Sequence, residues 1–295
     1  MFTFLISIML FTTPISDQLN HNSEDLKKEI QKELAKNKGT FALAFKNLTS
    51  GEEILINEKE SFHAASTMKT PILIEAYKQA AEKKISLEEN LTIKNEFKSI
   101  VDGSIFSLDP KDDSDTELYE KIGSKVKIYD LLYLMIIKSS NLATNIIIEL
   151  VGAQKANNTM REIGANDIQV LRGVEDGKAF RKGLNNTSTA YDQLLIFTKM
   201  AQGELVNKFS SDAMIKILLD QEFNDKIPAD LPQNVKVAHK TGWINGVNHD
   251  AGIVFLPDGR KYVLVFHSKD LENDKDAIKS MAKISKMIYD YVVQK

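Results

Sequence analysis

The chain has 295 residues, with 38 Lys+Arg against 41 Asp+Glu for a formal charge of -3, and 43% hydrophobic residues. That length and composition describe an ordinary soluble globular protein of one large domain or two small ones, and the balanced charge lacks the basic footprint that nucleic acid binding requires. There is no Cys, and the five His (His21, His63, His239, His249, His267) form no metal-clamping pair, so neither metal nor cofactor is expected and the chemistry falls to hydroxyls, amines and carboxylates.

In chain order, Phe2 to Phe11 form an apolar run that stops at Thr12-Thr13-Pro14. It is too short for the ~20 residues that cross a bilayer. It reads as the core of a secretory signal over residues 1–17, although no cation precedes Lys27. An exported protein, periplasmic or secreted and without a stable membrane anchor, is expected. Leu26, Ile30 and Leu34 then recur at helical spacing behind an N-cap at Ser23. Phe41, Leu43 and Phe45 alternate with small or polar neighbours, Ser50-Gly51 turns the chain, and Ile54 and Ile56 alternate again, which predicts a hairpin. Ser66 to Lys84 reads as a helix with Met68, Ile72, Ala76 and Ala80 on one stripe, although Pro71 removes a donor from its first turn. Helices are predicted over 127–138, 141–151, 155–163, 189–202 and 211–222. Strands follow at Val235–His239 and Ala251–Leu256, and Pro257-Asp258-Gly259 turns into a strand at Tyr262–His267. A last helix carries Ala277, Met281, Ile284, Ile288 and Val292 on one face. The fold class is α+β, an α/β sandwich. A mostly antiparallel sheet is built from both chain ends and covered by terminal helices, with an inserted all-helical lobe. One domain is expected over 22–295, with a sheet lobe of 22–65 and 210–295, a helical lobe of 66–209, and the site in the cleft between them.

The candidate chemistry begins with Ser66 and Lys69, a hydroxyl and an amine one helical turn apart, so that the amine can take the hydroxyl proton. For this Lys69 must fall well below its ~10.4 reference value. Ser-x-x-Lys also occurs at Ser124 and Ser280, where solvated surface is the simpler reading. Two further elements separate the Ser66 copy from these: Ser139-Ser140-Asn141 in the helical lobe, and Lys240-Thr241-Gly242 at the end of a late strand.

These three elements, in this order, resemble the penicillin-recognising serine hydrolases and most closely the class A β-lactamase family. The resemblance spans roughly residues 22 to 294 and implies the β-lactamase/transpeptidase-like fold. It also implies hydrolysis of β-lactam antibiotics through an acyl-serine on Ser66, with Lys69 as its proton partner and Ser139 relaying a proton to the β-lactam nitrogen. Asn141 would bind the substrate's side-chain amide and Lys240 and Thr241 its carboxylate, with Gly242 in the same motif. The backbone N–H groups of Ser66 and Trp243 would form the oxyanion hole. Glu175, in Arg172-Gly173-Val174-Glu175-Asp176, is the candidate base for deacylation. The family's Glu-x-x-x-Asn is broken by Ala179, with Asn185 and Asn186 as possible substitutes, and Asn186 stands where the family has an acid to pair the loop arginine. Trp243 replaces a small residue and predicts a narrower rim. Asn248, His249 and Asp250 stand where an arginine often helps bind the carboxylate.

The expected partner is a small-molecule β-lactam or a peptidoglycan stem peptide, the latter belonging to the alternative reading as a D,D-peptidase, which would not need Glu175. A non-turnover penicillin-binding sensor is a third reading, and the protein is expected to be a monomer. The acidic segment from Asp109 to Glu120 reads as a solvated loop.

Overall fold

The computed structural model describes residues 22–295, so the signal expected over residues 1–17 lies outside the described residues. Five strands, β1 (Thr40–Asn47), β2 (Glu53–Ile56), β3 (Lys236–Ile244), β4 (Val247–Phe255) and β5 (Lys261–Lys269), form an antiparallel sheet in the order β2-β1-β5-β4-β3. The chain's two ends are joined where β1 pairs with β5, Thr40 opposite Lys269 through Asn47 opposite Tyr262. The described helices are α1 (Ser23–Leu34), α2 (Lys69–Ala81), α3 (Ile128–Ile137), α4 (Asn141–Val151), α5 (Ala153–Glu162), α6 (Gly177–Arg181), α7 (Ala190–Gln202), α8 (Lys208–Leu219) and α9 (Asp274–Gln294). None of them is long and apolar enough to cross a membrane.

Successive side chains of a strand point to opposite faces, and here both faces are covered. Phe41, Leu43 and Phe45 of β1 join Leu264 and Phe266 of β5 against Leu26 and Ile30 of α1 and Met281, Ile284 and Ile288 of α9. Their neighbours Ala42 and Ala44 face the other way, with Ala251 and Val265, into the core shared with α2, α3, α4 and α7. The small residues of β1 therefore line a second core, where they let helices approach the sheet closely.

Several boundaries differ from expectation for local reasons. The helix expected from Ser66 opens as a 3-10 turn, Ala65–Met68, and α2 begins only at Lys69. Pro71 lies in the first turn of α2 and cannot donate to it, and Ala65 is held at φ 44°. Asn22 caps α1 in place of Ser23, its side-chain oxygen accepting from Asp25 N at 2.9 Å. The strand expected over Val235–His239 continues to Ile244, so Lys240-Thr241-Gly242 lies inside β3. Ser280 is buried between α9 and α1, accepting from Asn37 Nδ2 at 2.9 Å, and is no part of a solvated face.

Behind the Ala65–Met68 turn, the fully buried rings of His249 and His267 lie 4.4 Å apart between centroids. His249 Nε2 is 2.8 Å from the carbonyl of His63, whose Nδ1 accepts from Ala65 N at 3.1 Å. Both ring nitrogens of His267 are without a hydrogen-bond partner. Burial pulls His249 down to about 4 and drives His267 well below the ordinary imidazole range, with the neighbouring His249 adding to it. Both rings are thus neutral in the native state and gain protons on unfolding once the pH falls below their ordinary value of about 6.5. The unfolded state then binds more protons, so stability that is fully present above about 6.5 is lost as the pH falls toward 4. Thermal melts should show Tm decreasing across that window. His267→Leu should flatten part of the decrease, and an unchanged slope in that variant would remove the pair as its cause.

Candidate active site

Ser66 is half-buried on the 3-10 turn, with β3 on one side and the helical layer on the other. A Cβ added to Gly242 would lie 3.1 Å from Ser66 N and 3.2 Å from Thr67 N. The backbone of β3 therefore packs directly against the N–H groups of the turn, an approach that glycine permits. This places Trp243, the next residue of β3, at the mouth of the site, where it is 63% exposed.

Two buried lysines meet beside the turn. Lys69 Nζ lies 2.5 Å from the carbonyl of Ser139, 3.1 Å from its hydroxyl and 3.0 Å from Asn141 Oδ1. Lys240 Nζ reaches the same hydroxyl at 3.0 Å and donates to the carbonyl of Thr241 at 2.9 Å. Burial pulls Lys69 down to about 7 against the opposing fields of Asp113 and Glu175. Lys240 is also driven well below the ordinary lysine range, by burial first and by the neighbouring Lys69 second. Among the described residues no hydrogen bond joins Lys69 to the Ser66 hydroxyl; Ser139 and Asn141 hold the amine. The pair of N–H groups that a neutral amine carries can serve the Ser139 carbonyl and Asn141, leaving its lone pair for a hydroxyl proton.

Ser139 and Asn141 are positioned by the start of α4. Ser139 sits at φ 57°, and Ser140 is the N-cap, accepting from Ala143 N at 3.3 Å. The N–H groups of Asn141 and Leu142 each donate to Asp113 Oδ2 at 2.9 Å, and Tyr119 OH donates to the same oxygen at 2.9 Å. Asp113 and Asp115 are buried, which corrects the reading of Asp109–Glu120 as a solvated loop at these two positions, while Asp109, Asp112, Glu117 and Glu120 are exposed. A carboxylate beneath a helix N-terminus is favoured by the free N–H groups there, and this one fixes the angle at which Ser139 and Asn141 enter the site.

Glu175 reaches the same group from a separate loop. Its Oε1 accepts from Asn141 Nδ2 at 2.8 Å, and burial pushes its carboxyl above the ordinary range. The loop is held without an internal ion pair. Arg172 donates to the carbonyls of Leu184 at 2.9 Å and Gly173 at 3.0 Å, and to Asn185 Oδ1 at 3.2 Å. Asn186 Oδ1 accepts from Leu171 N and Arg172 N at 2.8 and 3.1 Å. Asn185 and Asn186 thus close the loop's base, and Glu175 takes Asn141 as its hydrogen-bond partner. Asn145 of α4 clamps the loop nearer its tip, accepting from Val174 N at 2.7 Å and donating to Val174 O at 3.0 Å.

Two cavities open on either side of Ser66. One, of about 430 Å³, has Val174, Glu175, Phe180, Trp243 and Ile244 in its walls. The other, of about 510 Å³, runs from Ser66 and Ser139 past Thr241 to Lys226 and Asn248. Thr241 pairs with Asp250 across β3 and β4, so Thr241, Asp250 and Asn248 share a face of the sheet. Asn248 is fully buried with both amide atoms unpartnered. Lys226 is buried as well, with Asp225 Oδ1 at 2.8 Å. Asp250 accepts from Ile227 N at 3.0 Å and lies 2.8 Å from His239 Nδ1, fixing the segment that carries Lys226. Where an arginine was missed in the sequence, a lysine from a different segment stands. His249 lies on the opposite face and takes no part in this cavity. Among the described residues no group of His, Asp or Glu is arranged to hold a metal ion.

A serine on a turn between an antiparallel sheet and a helical layer, with two buried amines converging beside it, has the architecture of a serine hydrolase. The chain belongs to the β-lactamase enzyme family, which it matches over residues 25–292. It is 27% identical to a β-lactamase of Bacteroides uniformis, covering 97% of this chain and 98% of that one. It is 24% identical to β-lactamase VEB-1 of Pseudomonas aeruginosa, covering 99% and 97%. The solved structure of PBP-A superposes with a TM-score of 0.79 at 30% identity, covering 92% of this chain and 97% of PBP-A.

Asp113, Asn145 and Lys226 escaped the sequence reading. Asp113→Ala should lower stability by ~1–3 kcal/mol by orphaning the N–H groups of Asn141 and Leu142. It should also lower activity by loosening Ser139, and paired melting and rate measurements check both. An unchanged Tm would show that this carboxylate does not anchor α4.

Proposed function

We propose that this enzyme opens the β-lactam ring of penicillins or cephalosporins through an acyl-enzyme on Ser66, by the class A route. The observation that carries this reading is the convergence of Lys69 and Lys240 on Ser139 beside Ser66, with Glu175 joined to the same group through Asn141. The matched family and the named β-lactamases favour this substrate over a stem peptide.

Neutral Lys69 takes the Ser66 proton as Oγ attacks the β-lactam carbonyl, and the oxyanion is received by the N–H groups of Ser66 and Trp243. Ser139 gives its proton to the departing nitrogen and is reprotonated from Lys69, so the C–N bond breaks with no net charge left on the relay. Glu175 then takes a proton from water, whose oxygen attacks the ester, and Ser66 leaves with a proton returned to it. The substrate carboxylate lies against Lys240 and Thr241, with Lys226 and Asn248 completing the positive and donor side that no arginine supplies. The cavity walled by Val174, Phe180 and Trp243 receives the acyl side chain. Export, through the run at Phe2–Phe11, is part of the same reading.

With a chromogenic cephalosporin the wild-type protein should turn over steadily. Ser66→Ala should lose ~10³-fold or more of kcat, and Glu175→Gln should accumulate a covalent adduct visible by mass spectrometry. A single stoichiometric burst in the wild-type protein, with no further turnover, defeats the reading. Because Lys69 sits at about 7 and acts unprotonated, the single-turnover acylation rate should rise as the pH increases through about 7 and level off above it. A rate independent of pH across that interval removes Lys69 as the base. Lys226→Met should raise KM ~10-fold with a smaller change in kcat, the signature of a lost ground-state contact. An unchanged KM would exclude Lys226 from the carboxylate side.

A further inference from the structure

Glu175 occupies left-handed backbone, φ 62°, a conformation that a residue with a side chain keeps only where its surroundings impose it. Its predecessor is fixed by Asn145. Its successor, Asp176, is fixed by a different part of the chain, the hairpin in which Phe97–Lys98 pairs with Ile105–Phe106. Asp176 is buried, and Oδ1 accepts from Ser99 Oγ at 2.9 Å and from Ala179 N at 3.1 Å, while Oδ2 accepts from Ile100 N at 2.9 Å. These bonds and the nearby Arg172 hold its carboxyl below the ordinary range despite the opposing effect of burial. Ser99 is itself buried, and its backbone closes the hairpin through Ser104 O and Gly103 N, both at 2.9 Å. Phe97 roots the hairpin in the helical core. Lys178 adds a second tie on the exposed side, to Asp102 Oδ2 at 2.8 Å and Ser104 Oγ at 2.7 Å.

We propose that Ser99 and Asp176 are positioning residues for deacylation: the 97–106 hairpin, acting through the Ser99–Asp176 bond, holds Glu175 in the orientation from which it activates water. None of residues 97–106 lines either of the two cavities at Ser66, so acylation is expected not to depend on the hairpin. The inference rests on Glu175 as the deacylating base. It adds that the base is aimed from outside its own loop, whose base is closed by neutral asparagines and backbone carbonyls and whose tip needs a second anchor.

Acylation and deacylation are measured separately, by rapid mixing with a cephalosporin and by decay of the isolated adduct. Ser99→Ala and Asp176→Ala should slow deacylation ~10- to 100-fold, as expected for a displaced catalytic group, while acylation stays within about twofold of wild type. Asp176→Asn, which keeps one acceptor oxygen, should fall between. Ser99→Ala removes a single hydroxyl and decides the question if Asp176→Ala does not fold. Deacylation within about twofold of wild type in folded Ser99→Ala overturns the proposal, as does an equal slowing of both steps, which marks general loosening. Glu175→Gln is the control. If it deacylates normally, the base assignment and this inference fall together; if it stalls while Ser99→Ala does not, the positioning role alone is lost.

Discussion

The hydroxyl of Ser139 lies between two amines that the fold has withdrawn from water, Lys69 at 3.1 Å and Lys240 at 3.0 Å. Two ammonium ions this close, with little solvent to screen them, repel each other, and burial penalises each charge separately. The cluster is tolerable only if one of the two gives up its proton readily. Burial lowers both amines, Lys69 to about 7 against the opposing fields of Asp113 and Glu175, and Lys240 well below the ordinary lysine range against that of Asp250. Much of the surrounding structure keeps these groups in place: the glycine that lets β3 reach the Ser66 turn, the carboxylate under α4, and Asn141 bridging Lys69 to Glu175.

Beyond the segments of Lys69 and Lys240, three others line the site, and each is held by buried polar side chains. Asp113 fixes the Ser139–Asn141 corner, Asp250 fixes the segment of Lys226, and Asn145 and Asp176 fix the loop of Glu175 from either side. Each anchor accepts hydrogen bonds from backbone N–H groups, so it sets main-chain position without competing for the substrate. Anchors of this kind preorganise a site, because groups already aimed need little reorganisation when charge develops.

The layered fold was legible because it is written in short-range patterns. The alternation Phe41-Leu43-Phe45 and the stripe Ala277-Met281-Ile284-Ile288-Val292 each identify a buried face without reference to the rest of the chain. Ser66, Lys69, the Ser139–Asn141 corner and Lys240, which the structure brings together, could be singled out because each belongs to a short motif of fixed spacing. Asp113 and Lys226 were not: Asp113 acts on Asn141 and Leu142, 28 and 29 positions on, and the segment of Lys226 is tied to the sheet through Ile227 and Asp250, 23 positions apart, so one aspartate among several neighbours looks like a solvated charge until α4 is seen above it. The 3-10 turn at Ser66 lay between these cases. Pro71 advertised a disturbed first turn, but only the packing of Gly242 against Ser66 N explains why the turn takes this form.

The pairing of β1 with β5 carries a consequence for biosynthesis. Strand partners roughly 200 positions apart make the central sheet a late event, since the loop between them must close before any of their contacts form. The amino-terminal strands have no independent partner beyond their own short hairpin, and such a ribbon is marginal in water by itself. The nascent chain therefore cannot complete its central sheet until nearly all of it has left the ribosome.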